Sequence, residues 1–260
     1  MQYQGGKSRI CKPIAEVISD ALSRREVPNS EGNSCGNFRE RERERESNKT
    51  FVSLFCGSCA VEAKVTGYDR IICNDNHEYL IALLKAVQQG YELPEHISEE
   101  QYKYIKEHKD EDKALAGFVG FGCSYGGKWF DGYAKGEKGR NYALGSKHTL
   151  LKDMATLMTA KFTCLDYRDV NIPDNSVVYC DPPYRNTTSY KNGKFNTDDF
   201  WNYMRVISKN NAVYISEQEA PDDFVCLWEK PLKRCLSHDS SKYFTATEKL
   251  FTYKNIEGEF

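Results

Sequence analysis

Between residues 50 and 73 an apolar run (50–55) gives way to a loop of small residues (56–58), a helical segment (60–66) and a second apolar run (70–73). Two short apolar runs joined through a helix read as parallel strands with a crossover, and parallel strands need cover on both faces of their sheet. The alternation continues downstream. Leu80, Leu83, Leu84 and Val87 share one face of a helix expected over 78–89. Further helices are expected at 99–106, opened by a capping box of Ser98 and Gln101, and at 113–119, 147–159 and 198–207. Strands are expected at 162–165, 176–180, 212–216 and 249–253. Ile14, Val17, Ile18, Ala21 and Leu22 add an amphipathic N-terminal helix that ends before Pro28. The expected class is α/β, a Rossmann-like sheet with helices on both faces.

Residues 27–49 break this order. They pass through Asn, Ser and Gly into alternating Arg and Glu with almost no apolar side chain, which predicts a polar insert outside the core. Ten cysteines are scattered through the chain, and without an export signal they read as reduced, buried small hydrophobes. Cys56 and Cys59 form a C-x-x-C pair, yet no second pair and no histidine spacing completes a zinc site, so no metal is expected. No apolar run approaches the roughly 18 residues of a membrane span, and a cytoplasmic location is expected. The net charge of −2 gives the whole chain no electrostatic footprint for nucleic acid, so any such contact has to be local.

The most informative residues are Cys180-Asp181-Pro182-Pro183-Tyr184, placed where a buried strand ends, at the usual ligand edge of an open α/β sheet. Two consecutive prolines remove two backbone donors and fix φ, leaving rigid carbonyls free to accept. Asp181 and the Pro182 carbonyl can accept both hydrogens of a planar amine, whose lone pair is otherwise held in conjugation. Such fixed acceptors stabilise the positive charge that grows on nitrogen during attack more than they stabilise the ground state, with neither metal nor covalent enzyme intermediate required. Tyr184 offers a ring for a planar base to stack on.

Phe55-Cys56-Gly57-Ser58-Cys59-Ala60-Val61-Glu62 forms a small-residue loop after the first strand, where backbone can approach a ligand closely. It lacks the G-x-G-x-x-G and Gly-Lys-Ser/Thr spacings, so a polyphosphate is not indicated. Asp75, past the next strand, suits either ribose hydroxyls or the cap of the following helix. Between Gly117 and Gly145 lie nine of the 18 glycines, interleaved with Phe, Tyr, Trp, Lys and Arg in a composition unlike a core helix. Tyr125, Gly127 and Trp129 lie among Lys128, Lys135, Lys138, Arg140 and Lys147, five cations against the two acids Asp131 and Glu137. A loop or hairpin of this kind can grip phosphates while its rings wedge into a base stack; a solvated glycine-rich loop is the other reading.

Tyr3-Gln4-Gly5-Gly6-Lys7, the Phe55 loop, Asp75, Asp166-Tyr167 and Asp181-Pro182-Pro183-Tyr184 occur in the order found in Dam-like DNA adenine methyltransferases, which the chain resembles over nearly its whole length outside the insert. The resemblance implies a Rossmann-like S-adenosylmethionine-dependent methyltransferase sheet with an inserted helical or hairpin DNA-recognition region. It implies methyl transfer to the exocyclic amine of an adenine flipped out of double-stranded DNA. By the same resemblance Tyr3, Gly6 and Lys7 touch the S-adenosylmethionine, Phe55, Gly57 and Asp181 line its pocket, Asp75 binds its ribose, and Asp166 and Tyr167 hold its adenine. The catalytic set is Asp181, Pro182, Pro183 and Tyr184. Cys59 stands where the family usually has a second glycine and Tyr3 where tryptophan is common, departures that bear on cofactor affinity.

The implied organisation places the cofactor-binding part in residues 1–26 and 50–97, target recognition in 98–147 and the catalytic part in 148–260. A monomer and a bacteriophage origin are expected, with methylation serving restriction-modification or regulation. Taken without the family, Gly5-Gly6-Lys7 is a turn near a terminus and Asp166 a surface acid. An amino-methyltransferase acting on cytosine in DNA, on RNA or on a glutamine side chain would use the same acceptor platform. A catalytically silent DNA-binding relative is the alternative from another class, against which the intact Asp181 and Tyr184 argue.

Overall fold

The computed structural model describes residues 1, 3–24, 49–136, 139–183, 195–235 and 243–254. Its centre is a seven-stranded sheet of order β3-β2-β1-β4-β5-β7-β6. The strands are β1 (Thr50–Ser53), β2 (Arg70–Asn74), β3 (Lys161–Thr163), β4 (Val177–Cys180), β5 (Ala212–Glu217), β6 (Phe224–Cys235) and β7 (Tyr243–Tyr253). The first five pair in parallel. β7 runs antiparallel between β5 and β6. The order reverses direction between β1 and β4, which opens a crevice beyond their carboxyl ends.

Strand alternation divides the core in two. Phe51, Ile71, Cys73, Val177 and Tyr179 face one cluster, shared with Ile14 and Ile18 of α1 (Cys11–Arg24) and Leu80, Leu83 and Leu84 of α2 (Glu78–Gln88). Val52, Ile72, Val178 and Cys180 face the other, shared with Phe200, Trp201 and Met204 of α6 (Thr197–Ile207). Both faces of the central strands are thus covered, as parallel pairing requires. The α/β architecture with helices on both faces agrees with the sequence reading.

On the first face, α3 (Glu99–Glu107) opens with the expected capping box: the Ser98 hydroxyl accepts from the Gln101 amide and the Gln101 side chain accepts from the Ser98 amide. α4 (Lys113–Gly122) corrects the expectation that residues from Gly117 onward leave the core. Gly117, Gly120 and Gly122 lie buried inside this helix. A Cβ on Gly117 would stand 2.2 Å from the Tyr79 carbonyl oxygen of α2, and one on Gly120 would stand 2.4 Å from the Trp129 ring. These glycines are therefore contact surfaces for neighbouring elements. α5 (Tyr142–Met154) begins earlier than residue 147 because the Asn141 side chain caps the Leu144 amide and carries the helix through Gly145.

Two further expectations change. The helix expected at 60–66 is a single 3-10 turn, Glu62–Lys64, after which Val65 returns to extended backbone. β-branched Val65 and Thr66, followed by Gly67 at φ +84°, leave too little chain to nucleate an α-helix. β6 was not anticipated, since Glu229, Lys230, Pro231 and Lys233 mask any apolar alternation. It is an edge strand, where proline and charge are tolerated. The insert at 27–49 lies, except for Lys49, outside the described residues, as do Lys138 and Tyr184. No helix among the described residues is long and apolar enough to cross a membrane.

Candidate active site

The carboxyl end of β1 leads through Leu54 into the small-residue loop. The Cys56 amide donates to the Asn74 carbonyl at 2.8 Å, which ties the loop to the end of β2. Asn74 itself clamps three strand ends, donating to the Leu54 and Leu165 carbonyls and accepting from Thr163 Oγ1 and the Leu165 amide. Sequence reading passed over this asparagine. Gly57 (φ +49°) and Cys59 (φ +59°) both occupy the left-handed region. The Cys59 backbone thus has the conformation that a glycine would adopt without strain.

Asp75 follows directly. Its Oδ2 accepts the Gly57 amide at 3.0 Å and its Oδ1 the His77 amide at 2.9 Å. The cap of α2 is His77, whose Nδ1 accepts from the Leu80 amide, so helix capping is not what occupies Asp75. Burial lifts the Asp75 carboxyl to about 6, against the backbone donors of His77, Gly57 and Asn76 that favour its charged form. A buried carboxylate with acceptor capacity left over, beside a glycine loop, suits a pair of ligand hydroxyls.

The N-terminal segment closes the loop from one side. A Cβ on Gly57 would come within 2.9 Å of Tyr3 Cε1, so the ring packs against the glycine backbone itself. Tyr3 also meets Phe121 of α4 at 4.9 Å between centroids, and the Gln4 amide donates to the Gly127 carbonyl at 2.9 Å. Gly6, whose amide donates to the Tyr3 carbonyl, is exposed in this turn. On the other side Phe55 and Tyr167 stand 5.2 Å apart, each about 6 Å from Phe195, and make an apolar patch. Asp166 caps the 3-10 turn Tyr167–Asp169 and pairs with Arg168, which lowers its carboxyl pKa.

Asp181 lies one residue beyond β4, followed by buried Pro182 and half-buried Pro183. Lys7 Nζ is 2.5 Å from Asp181 Oδ1 and 3.7 Å from Glu248 Oε2 on β7. Lys7 is 5% exposed and Asp181 19%, so the carboxylate keeps an open side while its cation is buried. Glu217 at the end of β5 is also buried, and burial raises its carboxyl to about 7. Neither Glu217 nor Glu248 belongs to a recognisable sequence pattern; only the pairing of β5 with β7 brings them to the crevice.

The glycine and aromatic segment takes a different form from a uniformly cationic grip. Tyr125 is 52% exposed beside Gly126 (φ +63°) and Gly127 (φ +69°), in a loop closed by the Ser124–Tyr133 bridge. Lys128 pairs with Asp131 at 3.3 Å and Lys135 with Glu99 at 2.9 Å, while the Arg140 guanidinium lies 4.7 Å from the Tyr142 ring. Trp129 packs among His77, Phe121 and Phe130 over Gly120, so its ring braces the loop. Cys56, Cys59 and Cys73 are buried and free. No cluster of ligands that could hold a metal is found among the described residues.

No curated protein sequence matches the chain. Among solved structures it is similar to a Pyrococcus horikoshii protein assigned as an RNA methyltransferase (TM-score 0.36, 11% identity, covering 93% of this chain and 98% of that one). It is also similar to a conserved hypothetical protein of Streptococcus pyogenes (TM-score 0.35, 8% identity, 83% and 94% covered). An Escherichia coli protein assigned as a methyltransferase has TM-score 0.33 and 11% identity, with 88% and 90% covered. The family description of D12 class N6 adenine-specific DNA methyltransferases matches residues 3–118 and 133–224, which hold the Tyr3 to Lys7 turn, the Gly57 loop, Asp75, Asp166 and the Asp181 turn. The chain belongs to that family of S-adenosylmethionine-dependent enzymes that methylate adenine in DNA.

Proposed function

We propose that the crevice between β1 and β4 binds S-adenosylmethionine next to an adenine turned out of double-stranded DNA, with Asp181 and the Pro182 carbonyl as the acceptors for the target amine. The group supplies an electrophilic methyl on a sulfonium sulfur. The residues present fit it: the buried Asp75 carboxylate has acceptor capacity for ribose hydroxyls, and Phe55 with Tyr167 provides an apolar surface for its adenine. Gly57 lets the loop approach closely, and Tyr3 seals it from behind.

Lys7 holds Asp181 through Oδ1, and the carboxylate remains 19% exposed toward the crevice, where it can accept from the amine. The bond fixes the carboxylate before substrate arrives, so no reorganisation is needed as charge develops on nitrogen. Pro182 and Pro183 keep the neighbouring carbonyls rigid. Tyr184 would supply the stacking ring, offsetting part of the few kcal/mol needed to unstack a base. Residues 98–147 serve target recognition, with exposed Tyr125 and Lys128 facing DNA and Lys135, Lys138 and Arg140 on its phosphates. The enzyme acts as a monomer.

The observation that carries this reading is the placement of Asp75 and Asp181 at the ends of β2 and β4, the two strands that flank β1 and its Gly57 loop, each held by buried donors. Duplex DNA incubated with the protein and methyl-labelled S-adenosylmethionine tests it. Label is expected in N6-methyladenine; label only in cytosine, RNA or protein would reject the reading.

A further inference from the structure

Lys7 is one cation facing more than one acid. Asp181 lies at 2.5 Å and Glu248 at 3.7 Å, and the Glu217 carboxylate feels the charges of Asp181, Lys7 and Glu248 together. The β4–β5 register sets Cys180 beside Ile215, so Asp181 and Glu217 leave the sheet from adjacent strands on the crevice side. Glu217 is 8% exposed. Among the described residues its Oε2 accepts only the neighbouring Gln218 amide, at 3.1 Å. Lys249 stands opposite it in the β5–β7 register and Glu229 opposite Lys249 on β6, but Glu217 forms no ion pair among the described residues.

Methylating an amine creates a disposal problem. The nitrogen lone pair forms the new N–C bond while the S–C bond breaks and leaves its electrons on sulfur. The nitrogen is then cationic and carries one proton too many. One N–H bond must break, its electrons remaining on nitrogen and its proton passing to a base. Asp181 is poorly suited, because its charge is already matched by Lys7 and it has to stay anionic to orient the amine.

Building on the proposed methyl-transfer site, we infer that Glu217 is the base that takes this proton, directly or through one water, and returns it to solvent when product leaves. Its place at the end of the strand next to Asp181 and the absence of an ion pair to it among the described residues support that role. Burial, with Asp181 and Glu248 adding to it, brings its carboxyl to about 7, near the value at which a general base works best at neutral pH.

Single-turnover methylation of plasmid DNA, measured against pH with saturating S-adenosylmethionine for wild type and for Glu217→Gln, tests the inference. The wild-type rate is expected to fall below about pH 7. Glu217→Gln is expected to lose roughly 10²-fold in rate and to flatten that acid limb, with DNA and cofactor dissociation constants changed by less than about threefold. Glu217→Asp, which keeps the acid on a shorter stem, retains the limb at a reduced rate. A Glu217→Gln enzyme that keeps the wild-type rate, or slows but keeps the acid limb, overturns the inference, as does a flat profile for Glu217→Asp. If the wild type places no methyl group on adenine, the failure belongs to the proposed function.

Discussion

Lys7, seven residues into the chain, forms an ion pair with Asp181, on the far side of the sequence, at 2.5 Å. The resemblance assigned Lys7 to the cofactor; the fold places its ammonium on the carboxylate of the acceptor turn, with Glu248 as a second neighbour. Removing one partner of a buried pair leaves the other charge uncompensated. Lys7→Met removes the buried cation that Asp181 and Glu248 share. Methyl transfer is expected to drop by at least about 10²-fold, by analogy with loss of a preorganised charge-stabilising group, and the melting temperature is expected to fall with it. A Lys7→Met enzyme with ordinary turnover would show that Asp181 needs no holder.

Gly57 is a second point where backbone and side chain leave no slack. Alanine there meets the Tyr3 ring at 2.9 Å and holds a φ of +49°. The left-handed strain alone costs about 1–2 kcal/mol, enough to weaken binding roughly tenfold if the loop relaxes out of place. Calorimetric titration of S-adenosylmethionine into Gly57→Ala should show that loss. The double variant with Tyr3→Ala should recover only the part due to the clash.

Asp75 gives cofactor binding its own pH dependence. The carboxyl titrates at about 6, and the charged form is the one that accepts hydrogen bonds from hydroxyls. Affinity for S-adenosylmethionine is therefore expected to be full above pH 7 and to decline as pH falls through 6. Asp75→Asn should bind weakly at every pH with that slope removed. Dissociation constants at several pH values separate this effect from the Glu217 limb, which is read at saturating cofactor.

Two glycines in neighbouring helices should respond in opposite directions. Gly117→Ala drives a methyl group to 2.2 Å from the Tyr79 carbonyl oxygen, and overpacking of this kind costs about 1–3 kcal/mol or more. Gly145 in α5 has nothing within 4 Å of its would-be Cβ and an ordinary helical φ. Alanine there should stabilise by about 0.5–1 kcal/mol through helix propensity and reduced unfolded-state freedom. Thermal melts of the two variants should bracket the parent.

The strands that carry the site were legible because β1, β2 and β4 are buried on both faces and read as unbroken apolar runs. Asp75 and Asp181 could be located from the ends of those runs. β6 escaped because an edge strand need not alternate, and its charges hid it. The glycines of α4 misled because composition cannot distinguish a glycine required by a turn from one required by a neighbour's backbone at close range. Trp129 looked like a wedge for DNA and is a brace for its own loop. Glu217 and Glu248 had no local signature, since their approach to the Asp181 turn depends on β7 running back beside β5.

Everything rests on Asp181 acting as an acceptor for the amine of a DNA adenine. The direct measurement is to digest duplex DNA after reaction with labelled S-adenosylmethionine and identify the methylated nucleoside, for wild type and for Asp181→Ala, beside duplex-binding curves for both. N6-methyladenine is expected from the wild type and none from Asp181→Ala, with similar duplex affinity. N6-methyladenine from Asp181→Ala at the wild-type rate would contradict that acceptor role.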